Sequence, residues 1–561
     1  MKKYYAGCAS LPVARLEELD AIRTNHSAEE PLLKIRPLIS ANEQVFRVKY
    51  QPINTFLKEE GLDHHHYLLI TTPGVYRAVI DQLVGSYTCI YVFDSKMETL
   101  QDIQALYDAT VASQQKDSFL PEEVVQQNRD IRDEVFEAVV CMGGGVGMDA
   151  GKYISSEVVH APLYAIPTVL SVNAAFCYKA AVREPDPYKD GAYNVVYKFY
   201  GLPQAICVDL EVITSEDKLQ AAKDSGDENA YEAVRNQWSM LRELNIAGAG
   251  DLLSILTATY DWRINSLVAR DMCAPDPVAL GKSVLLEKPF SQDVCEGAME
   301  LLALLAEHAD EIRGGTKEGA KFLARAYHWI AEQSWVMQHT MWESASEHGM
   351  FDHFENLAGT ELTHGQVIAL SVYFMSLLQE YQHDRVLKMI ERLGLEISLA
   401  DLAANGAMNY KIAPITLYDC LVDLKKYIDE IAYRYTVISA KPISKQWVLD
   451  ALDKYYADVY DRVEQRYLKR EELFEDKNDV HFAERRQLEK IIHRVTAQKK
   501  AHEAAMEAAR TAEAEAKKSF AEPQNTLEYN KQLAALVDIK ADAYASYLRE
   551  LHSQELASVR N

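Results

Sequence analysis

The hydrophobic positions of this chain change their spacing along its length. Between residues 61 and 215, short apolar runs alternate with segments of helical spacing, and residues 67–71, 89–93 and 205–209 read as buried strands. Alternating strands and helices predict a parallel sheet with right-handed crossovers. From residue 245 to 440 apolar residues recur every three or four positions instead, which predicts a helical domain after the sheet domain.

A glycine triplet interrupts the first of these patterns. The apolar residues 138–142 run directly into Gly143, Gly144 and Gly145, and a helix-forming segment follows. A strand that ends in such a turn directs several unpaired N–H groups, and the positive end of a helix dipole, at one point. Because no Cβ is in the way, the pyrophosphate of a dinucleotide can approach these amides. We expect NAD or NADP to bind here, and an ordinary glycine turn is the alternative.

One carboxylate and two imidazoles farther along the chain are candidate metal ligands. Asp251 follows a glycine-bearing segment that predicts a turn, while His348 and His364 each precede a glycine. Two histidines and a carboxylate suffice to hold a divalent metal with an open position. The alternative for Asp251 is a cap on a helix that begins at Leu252, and the histidines are otherwise ordinary polar residues on helices.

The order of the glycine triplet, Asp251, His348 and His364 resembles that of the iron-containing alcohol dehydrogenase and dehydroquinate synthase superfamily. Within it, the glycerol-1-phosphate dehydrogenases are most similar, with the glycerol dehydrogenases next, and the resemblance covers roughly residues 60 to 457. It implies one divalent metal held by these three side chains. The family's iron enzymes have a fourth ligand, a histidine four residues after the aspartate, and Ile255 stands there. This favours zinc over iron, although the ligand set also suits Fe(II).

The resemblance also implies catalytic residues. The segment after residue 167 resembles a family segment in which a Ser-x-Asp tripeptide reaches the nicotinamide and the substrate. Here Asn173 replaces the aspartate, so a neutral donor and acceptor stands in place of an anion. Lys179 is a candidate partner for an anionic substrate group. His353 follows His348 after five residues, where the relatives have a second histidine after four, and is a candidate proton relay. The candidate cofactor-binding residues are Thr71, Gly143, Gly144, Gly145, Asp149, Thr168 and Ser171.

These residues lead to the hypothesis of a metal-dependent NAD(P) oxidoreductase that interconverts a small polyol, or a polyol phosphate, and the matching ketone. The metal would polarise the substrate oxygen while hydride passes to the nicotinamide. A cyclase or lyase of the dehydroquinate synthase kind, which reoxidises its NAD in each turnover, is the second hypothesis. A non-catalytic scaffold protein with a helical interaction tail is the third. Net formation of NADH separates the first hypothesis from the second.

The predicted fold is therefore an α/β dinucleotide-binding domain with a parallel sheet, an all-α metal-binding domain and a C-terminal helical extension. We expect the first domain at residues 61–215, the second at 216–457 and the extension at 458–561. Residues 1–60 form an N-terminal segment with no assigned role. Residues 216–244 are charged and helix-forming, which indicates an inserted helix that covers the cleft or makes a subunit contact.

Residues 458–561 contain no glycine, and apolar residues at helical spacing form one face at 488–495 and another at 533–551. Between them, residues 501–518 are rich in Ala and Glu, which favours a helix with little apolar surface to bury. We expect the two faces to pack on each other as a helical hairpin, or on another subunit, outside the active cleft. A homo-oligomer formed through these helices is the corresponding expectation.

Composition excludes several kinds of partner. The formal net charge of −25 argues against nucleic acid and anionic membrane surfaces, because phosphate groups are bound by Lys and Arg. The 8 cysteines include no C-x-x-C pair, which fits a reducing compartment, so we expect a cytoplasmic protein. No apolar run is long enough to predict membrane insertion.

Overall fold

The computed structural model describes residues 47–91, 135–185, 193–200, 202–271, 290–337, 339–359, 362–405, 412–430, 434–460, 462 and 482–560. Most of the expected N-terminal segment, residues 1–46, lies outside these ranges. The same holds for the end of the strand expected at 89–93 and for the start of the extension, apart from residues 458–460 and 462.

The sheet domain contains six parallel strands and a separate antiparallel pair. The strands are β1 (Arg47–Lys49), β2 (His66–Thr71), β3 (Ser86–Tyr91), β4 (Ala138–Gly143), β5 (Leu163–Pro167), β6 (Lys179–Pro185), β7 (Tyr193–Phe199) and β8 (Ala205–Cys207). The parallel sheet has the order β1-β8-β5-β4-β2-β3, and β6 pairs with β7. Since β3 and β4 lie on opposite sides of β2, the chain order reverses between β2 and β4. Such a reversal opens a ligand crevice beyond the carboxyl ends of the strands.

Both faces of the sheet are covered, as the continuous apolar runs predict. In β2, Leu68 and Ile70 face the main core, whereas Tyr67 and Leu69 face a smaller core. The smaller core includes residues of α1 (Ile53–Glu59) and α2 (Pro73–Val79). Because β1 and α1 come from residues 47–60, part of the segment expected to precede the domain contributes an edge strand and a helix to it.

The rest of the described chain up to residue 455 is almost wholly helical, which confirms the predicted fold class. The helices after α3 (Gly145–Tyr153) are α4 (Leu210–Thr214), α5 (Glu216–Ser225), α6 (Glu228–Leu252), α7 (Ser254–Asp271), α8 (Gln292–Glu307), α9 (Ala309–Arg313), α10 (Lys317–Met337), α11 (Ser346–Ala358), α12 (His364–Gln379), α13 (His383–Leu393), α14 (Leu399–Asn405), α15 (Pro414–Glu430), α16 (Val437–Ala440) and α17 (Lys445–Tyr455). Among the described residues, no helix combines the length and the apolar character that crossing a bilayer requires.

The glycine turn expected just before Asp251 is not formed. Helix α6 runs without interruption through Gly248, Gly250 and Asp251, so the charged segment at 216–244 and the ligand-bearing segment share one long helix. Asp251 therefore does not cap a helix that begins at Leu252. Glycine lowers helix propensity, which predicted a break, but here the close approach of a second helix requires it, as shown below.

The C-terminal extension forms the expected antiparallel hairpin, of α18 (Phe482–Ser519) and α19 (Thr526–Arg560). The expectation that its Ala-rich span has little to bury is wrong. Ala501, Ala505, Met506 and Ala509 are buried in the main core, because α18 packs on α14, α15 and the turn at 456–460, while α19 packs on α15 and α17. Small alanine side chains let these helices approach closely. The hairpin is therefore docked on the helical domain of its own chain.

One histidine joins the hairpin to the domain. The His502 ring stacks on Tyr456 with centroids 4.0 Å apart, its Nδ1 lies 2.9 Å from the Tyr544 hydroxyl, and its Nε2 lies 3.3 Å from Oδ1 of Asp453. Burial lowers the pKa of His502 to about 4, and Asp453 offsets only part of that effect. The imidazole is therefore neutral when the hairpin is docked.

Acidification should weaken this docking. Below a pH of about 6.5 the released imidazole binds a proton and the docked one does not, so docking loses about 2 kcal/mol between pH 7 and pH 5. We expect the wild type to lose more thermal stability over this interval than His502→Gln, which cannot take up a proton. Thermal melting of both proteins at the two pH values checks this. Equal losses in the two proteins would show that His502 does not carry the effect.

Candidate functional site

The glycine triplet forms the turn between β4 and α3, next to the reversal in strand order. Gly143 ends β4 with a φ of 151°, in the region that favours glycine. Gly144 precedes the helix and Gly145 begins it. The free N–H groups of the first turn of α3 therefore lie at the carboxyl edge of the sheet, where they can hold a phosphate.

Other predicted cofactor-binding residues border this turn. Thr71 ends β2, the neighbour of β4. Thr168 follows β5, and its N–H donates to the carbonyl of Gly143 at 3.1 Å. Ser171 lies three residues farther along the same irregular segment. The structure thus brings Thr71, Thr168 and the triplet to one edge of the sheet, while their contact with a cofactor stays a prediction.

Replacing Gly144 with valine should abolish NAD(H) and NADP(H) binding and leave the protein folded. The Cβ of the new side chain would lie 3.4 Å from Cγ1 of Val169, an ordinary contact, while its methyl groups would crowd the amides that face the phosphate. Calorimetric titration with each cofactor, together with circular dichroism, checks both parts. Unchanged affinity would remove the role given to the triplet.

Asp149, by contrast, is engaged away from the turn. Its Oδ1 accepts from Nζ of Lys152 at 3.2 Å, and its Oδ2 accepts from the N–H of Ala181 at 3.1 Å. Lys152 also donates to the carbonyl of Lys179 at 2.6 Å. These bonds join α3 to β6, so Asp149 holds the helix against this strand. The buried Lys152 takes part in the same contact, and the sequence patterns did not reveal it.

The three predicted metal ligands meet in the helical domain. Asp251 lies near the end of α6, His348 in the first turn of α11 and His364 at the start of α12. Nε2 of His364 lies 3.2 Å from Oδ1 of Asp251, Nε2 of His348 lies 3.6 Å from the same oxygen, and all three ligand atoms fall within 4.8 Å of one another. Ligand atoms about 2.0–2.1 Å from a tetrahedral ion lie roughly 3.3 Å apart. The geometry therefore fits one divalent ion.

Charges and hydrogen bonds within this cluster strongly shift the pKa values of Asp251 and His348. Burial alone would raise the pKa of Asp251, but the charges and hydrogen bonds of His364 and His348 hold it well below its ordinary value. Burial would lower the pKa of His348, yet hydrogen bonds to Asp251 and Glu347 raise it. A divalent ion would take the place of the proton that these groups otherwise share. Ile255, where the iron enzymes have a fourth ligand, is fully buried in the core.

Glu347 orients the first histidine. Its Oε1 lies 3.0 Å from Nδ1 of His348 and accepts from the N–H of Ala345 at 2.6 Å, while its Oε2 accepts from the hydroxyl of Thr257 at 3.0 Å. A carboxylate on Nδ1 leaves Nε2, the atom that faces Asp251, as the ligand. Glu347 was not among the residues predicted from the sequence, although its position directly before His348 was a usable signal.

Replacing Glu347 with glutamine should weaken metal binding by roughly 10- to 100-fold, because such partners fix the ring orientation and raise the basicity of the ligand. The change keeps the shape of the side chain and removes its charge. Competition with a fluorescent zinc chelator measures the affinity. The exposed Glu430→Gln serves as the matched control and should change nothing. Equal affinity in Glu347→Gln and the wild type would contradict this orienting role.

The helices that carry Asp251 and His364 cross with their backbones in close contact. A Cβ on Gly365 would lie 1.7 Å from the carbonyl oxygen of Ala247, and one on Gly250 would lie 2.3 Å from the carbonyl oxygen of Gly365. Neither glycine has a positive φ, so the packing requires them and the backbone conformation does not. This crossing sets the separation of the two ligands.

Asn173 and Lys179 lie near this cluster, beside a carboxylate that sequence reasoning missed. Asn173 Nδ2 is 3.5 Å from Oε2 of Glu343, whose Oε1 accepts from Ser334 at 3.1 Å. Burial and the charge of Asp251 raise the pKa of Glu343, while Lys179 and His348 work in the opposite direction. Burial, followed by the charge of Arg434, lowers the pKa of Lys179. Glu343 thus lies between the metal-ligand cluster and Lys179.

His353 is not part of the metal-ligand cluster. Five residues of α-helix turn it through about 140° relative to His348. Its ring stacks on Tyr427 of α15 with centroids 4.4 Å apart. The structure therefore places this residue between two helices of the domain and does not support a proton relay at the metal.

Comparisons with known proteins give one family match and several distant relatives. Residues 51–215 match the model of a family described as iron-containing alcohol dehydrogenase. An NAD(P)+ glycerol-1-phosphate dehydrogenase of Aeropyrum pernix is 24% identical over 300 residues, which cover 54% of this chain and 68% of that protein. Its counterpart in Thermococcus kodakarensis is 21% identical over 336 residues, or 60% and 76% of the two chains. A solved glycerol dehydrogenase of Schizosaccharomyces pombe superposes with a TM-score of 0.43 and 12% identity, covering 75% of this chain and 91% of that one.

The family match and these relatives indicate an oxidoreductase of the dehydrogenase class. The glycine turn and the cluster of one carboxylate and two histidines are its candidate sites. The chain resembles the iron-containing alcohol dehydrogenase superfamily, by the family match over residues 51–215 and by these distant relatives. This confirms the resemblance seen in the sequence and the predicted enzyme class. The family supports NAD(P) and a divalent metal, while the assignment of individual site residues stays a prediction.

Proposed function

We propose that the protein is a metal-dependent NAD(P) oxidoreductase that interconverts a small polyol, or a polyol phosphate, and its ketone. The observation that carries the proposal is the position of the segment 168–173 between the two candidate sites. On one side, Val169 and Val172 lie against Gly144 and Gly145. On the other side, Leu170 contacts α6 near Asp251, as described next.

Helix α6 contacts this segment at two points, and Tyr327 of α10 bonds to α6 at the same place. The N–H of Leu170 donates to Oδ1 of Asn245 at 2.8 Å, and a Cβ on Gly248 would lie 1.8 Å from the Leu170 carbonyl oxygen. The Tyr327 hydroxyl donates to the carbonyl of Gly248 at 2.9 Å. Since Asp251 is less than one turn beyond Gly248, a cofactor with its pyrophosphate at the glycine turn and its nicotinamide along this segment would have the nicotinamide next to the metal-ligand cluster.

The chain's own groups have distinct roles in this proposal. Amides at Gly143–Gly145 bind the pyrophosphate. Asp251, His348 and His364 hold the metal, which when bound supplies Lewis-acid chemistry at the substrate oxygen. Asn173 and Glu343 are placed to bind a neighbouring hydroxyl and orient the reacting carbon toward the cofactor. Two histidines, one carboxylate and a fully buried Ile255 in place of a fourth ligand favour zinc.

Net formation of NAD(P)H tests the proposal. Zinc-loaded protein is incubated with NAD+ or NADP+ and with glycerol or glycerol 1-phosphate, and the reduced cofactor is followed by its absorbance. We expect reduced cofactor to accumulate with at least one of these substrates, and no accumulation with His364→Ala. The exposed His64→Ala should behave as the wild type. Cofactor that never accumulates, although substrate is consumed, would support a cyclase or lyase instead.

A further inference from the structure

Helix α7 presents a row of polar side chains to the segment that carries His348. Ser254, Thr257 and Asp261 recur every three or four residues, so they share one face of the helix. All three are buried. Buried polar groups are costly unless they are hydrogen-bonded, so the partners of this polar row show what it holds in place.

Asp261 caps the helix that carries His348. The residue before this helix is Ala345, whose methyl side chain cannot accept a hydrogen bond. Oδ2 of Asp261 instead accepts from the N–H of Ser346, the first residue of α11, at 3.1 Å, and also from the Ser346 hydroxyl. Oδ1 of Asp261 accepts from the N–H of Val437, the first residue of α16, at 2.8 Å. One carboxylate thus pairs with the backbone amides at two helix starts, where a helix provides no acceptor of its own.

The other members of the polar row hold the chain on both sides of this cap. The Ser254 hydroxyl donates to the carbonyl of Glu343 at 2.5 Å, and the Thr257 hydroxyl donates to Oε2 of Glu347 at 3.0 Å. The first acceptor lies before α11 and the second lies in its first turn. Nε2 of Gln379, in α12, donates to the carbonyl of Thr257 at 3.0 Å. Helix α7 is therefore bonded to both helices that carry a histidine ligand.

The polar row is also tied to the third ligand, Asp251. Leu252 ends α6 and Ser254 begins α7, so one residue separates the helix of Asp251 from the polar row. A shift of α11 against α7 would therefore change the distance between Oδ1 of Asp251 and Nε2 of His348, which is 3.6 Å. Contacts of α7 with α11 thus affect the Asp251–His348 separation, as the crossing of α6 and α12 sets that of Asp251 and His364.

We propose that Asp261 is a positioning residue of the metal centre, whose two caps hold the first turn of α11 against α7 and so fix His348 relative to Asp251. The inference rests on the proposed function, in which the three-residue cluster holds a metal. Asp261 and Glu347 act differently on His348. Glu347 orients the imidazole ring, whereas Asp261 holds the backbone that carries both residues.

Two substitutions of Asp261 test this role, with zinc and cobalt(II) as the probes. Asp261→Ala removes both caps, and zinc affinity, measured by competition with a fluorescent chelator, should fall roughly 10- to 100-fold. The visible absorption of bound cobalt(II) should change as well, because it reports the geometry of the ligands. Asp261→Asn returns one acceptor oxygen and should recover part of the affinity. Burial and the charge of Glu347 raise the pKa of Asp261 to about 7, so measurement at pH 8 keeps the wild-type carboxylate mostly ionised.

Two controls separate positioning from a general loss of stability. Asp429→Ala changes an exposed surface pair and should leave zinc affinity and the cobalt spectrum unchanged. Val448→Ala leaves a cavity in α17, which packs on α15 and α19, so it should lower the melting temperature without altering the spectrum. If Asp261→Ala does not fold, Asp261→Asn carries the same expectations with a smaller loss. Wild-type zinc affinity and a wild-type cobalt spectrum in the folded Asp261 variants would overturn the inference and leave the proposed function standing.

Hydrogen exchange in the metal-free protein separates this inference from the proposed function. Peptides that cover the starts of α11 and α16 should exchange faster in Asp261→Ala than in the wild type, because their first amides lose an acceptor. Unchanged exchange would overturn the two caps and the inference with them. Faster exchange in a protein whose wild type binds neither zinc nor cobalt(II) would support the hold of Asp261 on α11 and overturn the proposed function.

Discussion

Replacing His364 with alanine is expected to remove the metal from the protein. The three candidate ligands form one cluster, and an ion left with Asp251 and His348 has two protein ligands where a stable site needs at least three. The loss should exceed the roughly 10- to 100-fold expected for a residue that only orients a ligand. Oxidoreductase activity should disappear with it, while the affinity for NADH remains.

Elemental analysis of the purified proteins after dialysis measures this effect. We expect about one divalent ion per chain in the wild type and in His64→Ala, whose imidazole is exposed, and none in His364→Ala. Equal metal content in His364→Ala and the wild type would show that the ion, if present, is held elsewhere.

Replacing Gly365 with alanine should lower both the stability and the metal affinity of the protein, although it removes no ligand. The added Cβ would lie 1.7 Å from the carbonyl oxygen of Ala247 and 3.0 Å from the backbone nitrogen of Asp251. Both atoms belong to the backbone of α6, so the two helices must separate. Overpacking a core costs about 1–3 kcal/mol, and a clash with backbone belongs at the upper end or beyond. Separation of α6 from α12 also moves Asp251 away from His364.

Thermal melting and zinc affinity check this prediction together. Gly74→Ala is the matched control, because that glycine lies in α2 with nothing within 4 Å of its missing Cβ and no positive φ. It should be neutral or slightly stabilising, since alanine favours helices. A Gly365→Ala protein with the wild-type melting temperature and zinc affinity would show that the crossing tolerates a Cβ and does not set the ligand geometry.

The layered organisation of the chain was predictable because local signals agree with the global fold. Continuous apolar runs in β2 and β4 predicted a sheet covered on both faces, and the glycine triplet predicted the turn at its carboxyl edge. The glycines near Asp251 show where this reasoning fails. Their low helix propensity predicted a turn, but contact with Gly365 requires Gly250 and contact with the Leu170 carbonyl requires Gly248. Tertiary contacts of this kind leave no local signature.

The prediction that the Ala-rich span of the C-terminal extension has little to bury failed for a similar reason. Ala505 and Ala509 carry little apolar surface, which predicted that their helix could not pack on the domain. Burial depends on the partner, however, and α14, α15 and the segment at 456–460 provide one. An oligomer built through the hairpin stays a prediction.

Anomalous diffraction from crystals grown with zinc and NAD tests the central claim most directly. We expect one strong anomalous peak about 2.0–2.2 Å from Asp251 Oδ1 and from Nε2 of His348 and His364, with the pyrophosphate of NAD on the amides of Gly143–Gly145. A peak that lacks any one of these three ligands, or a cofactor bound away from the glycine turn, would contradict it.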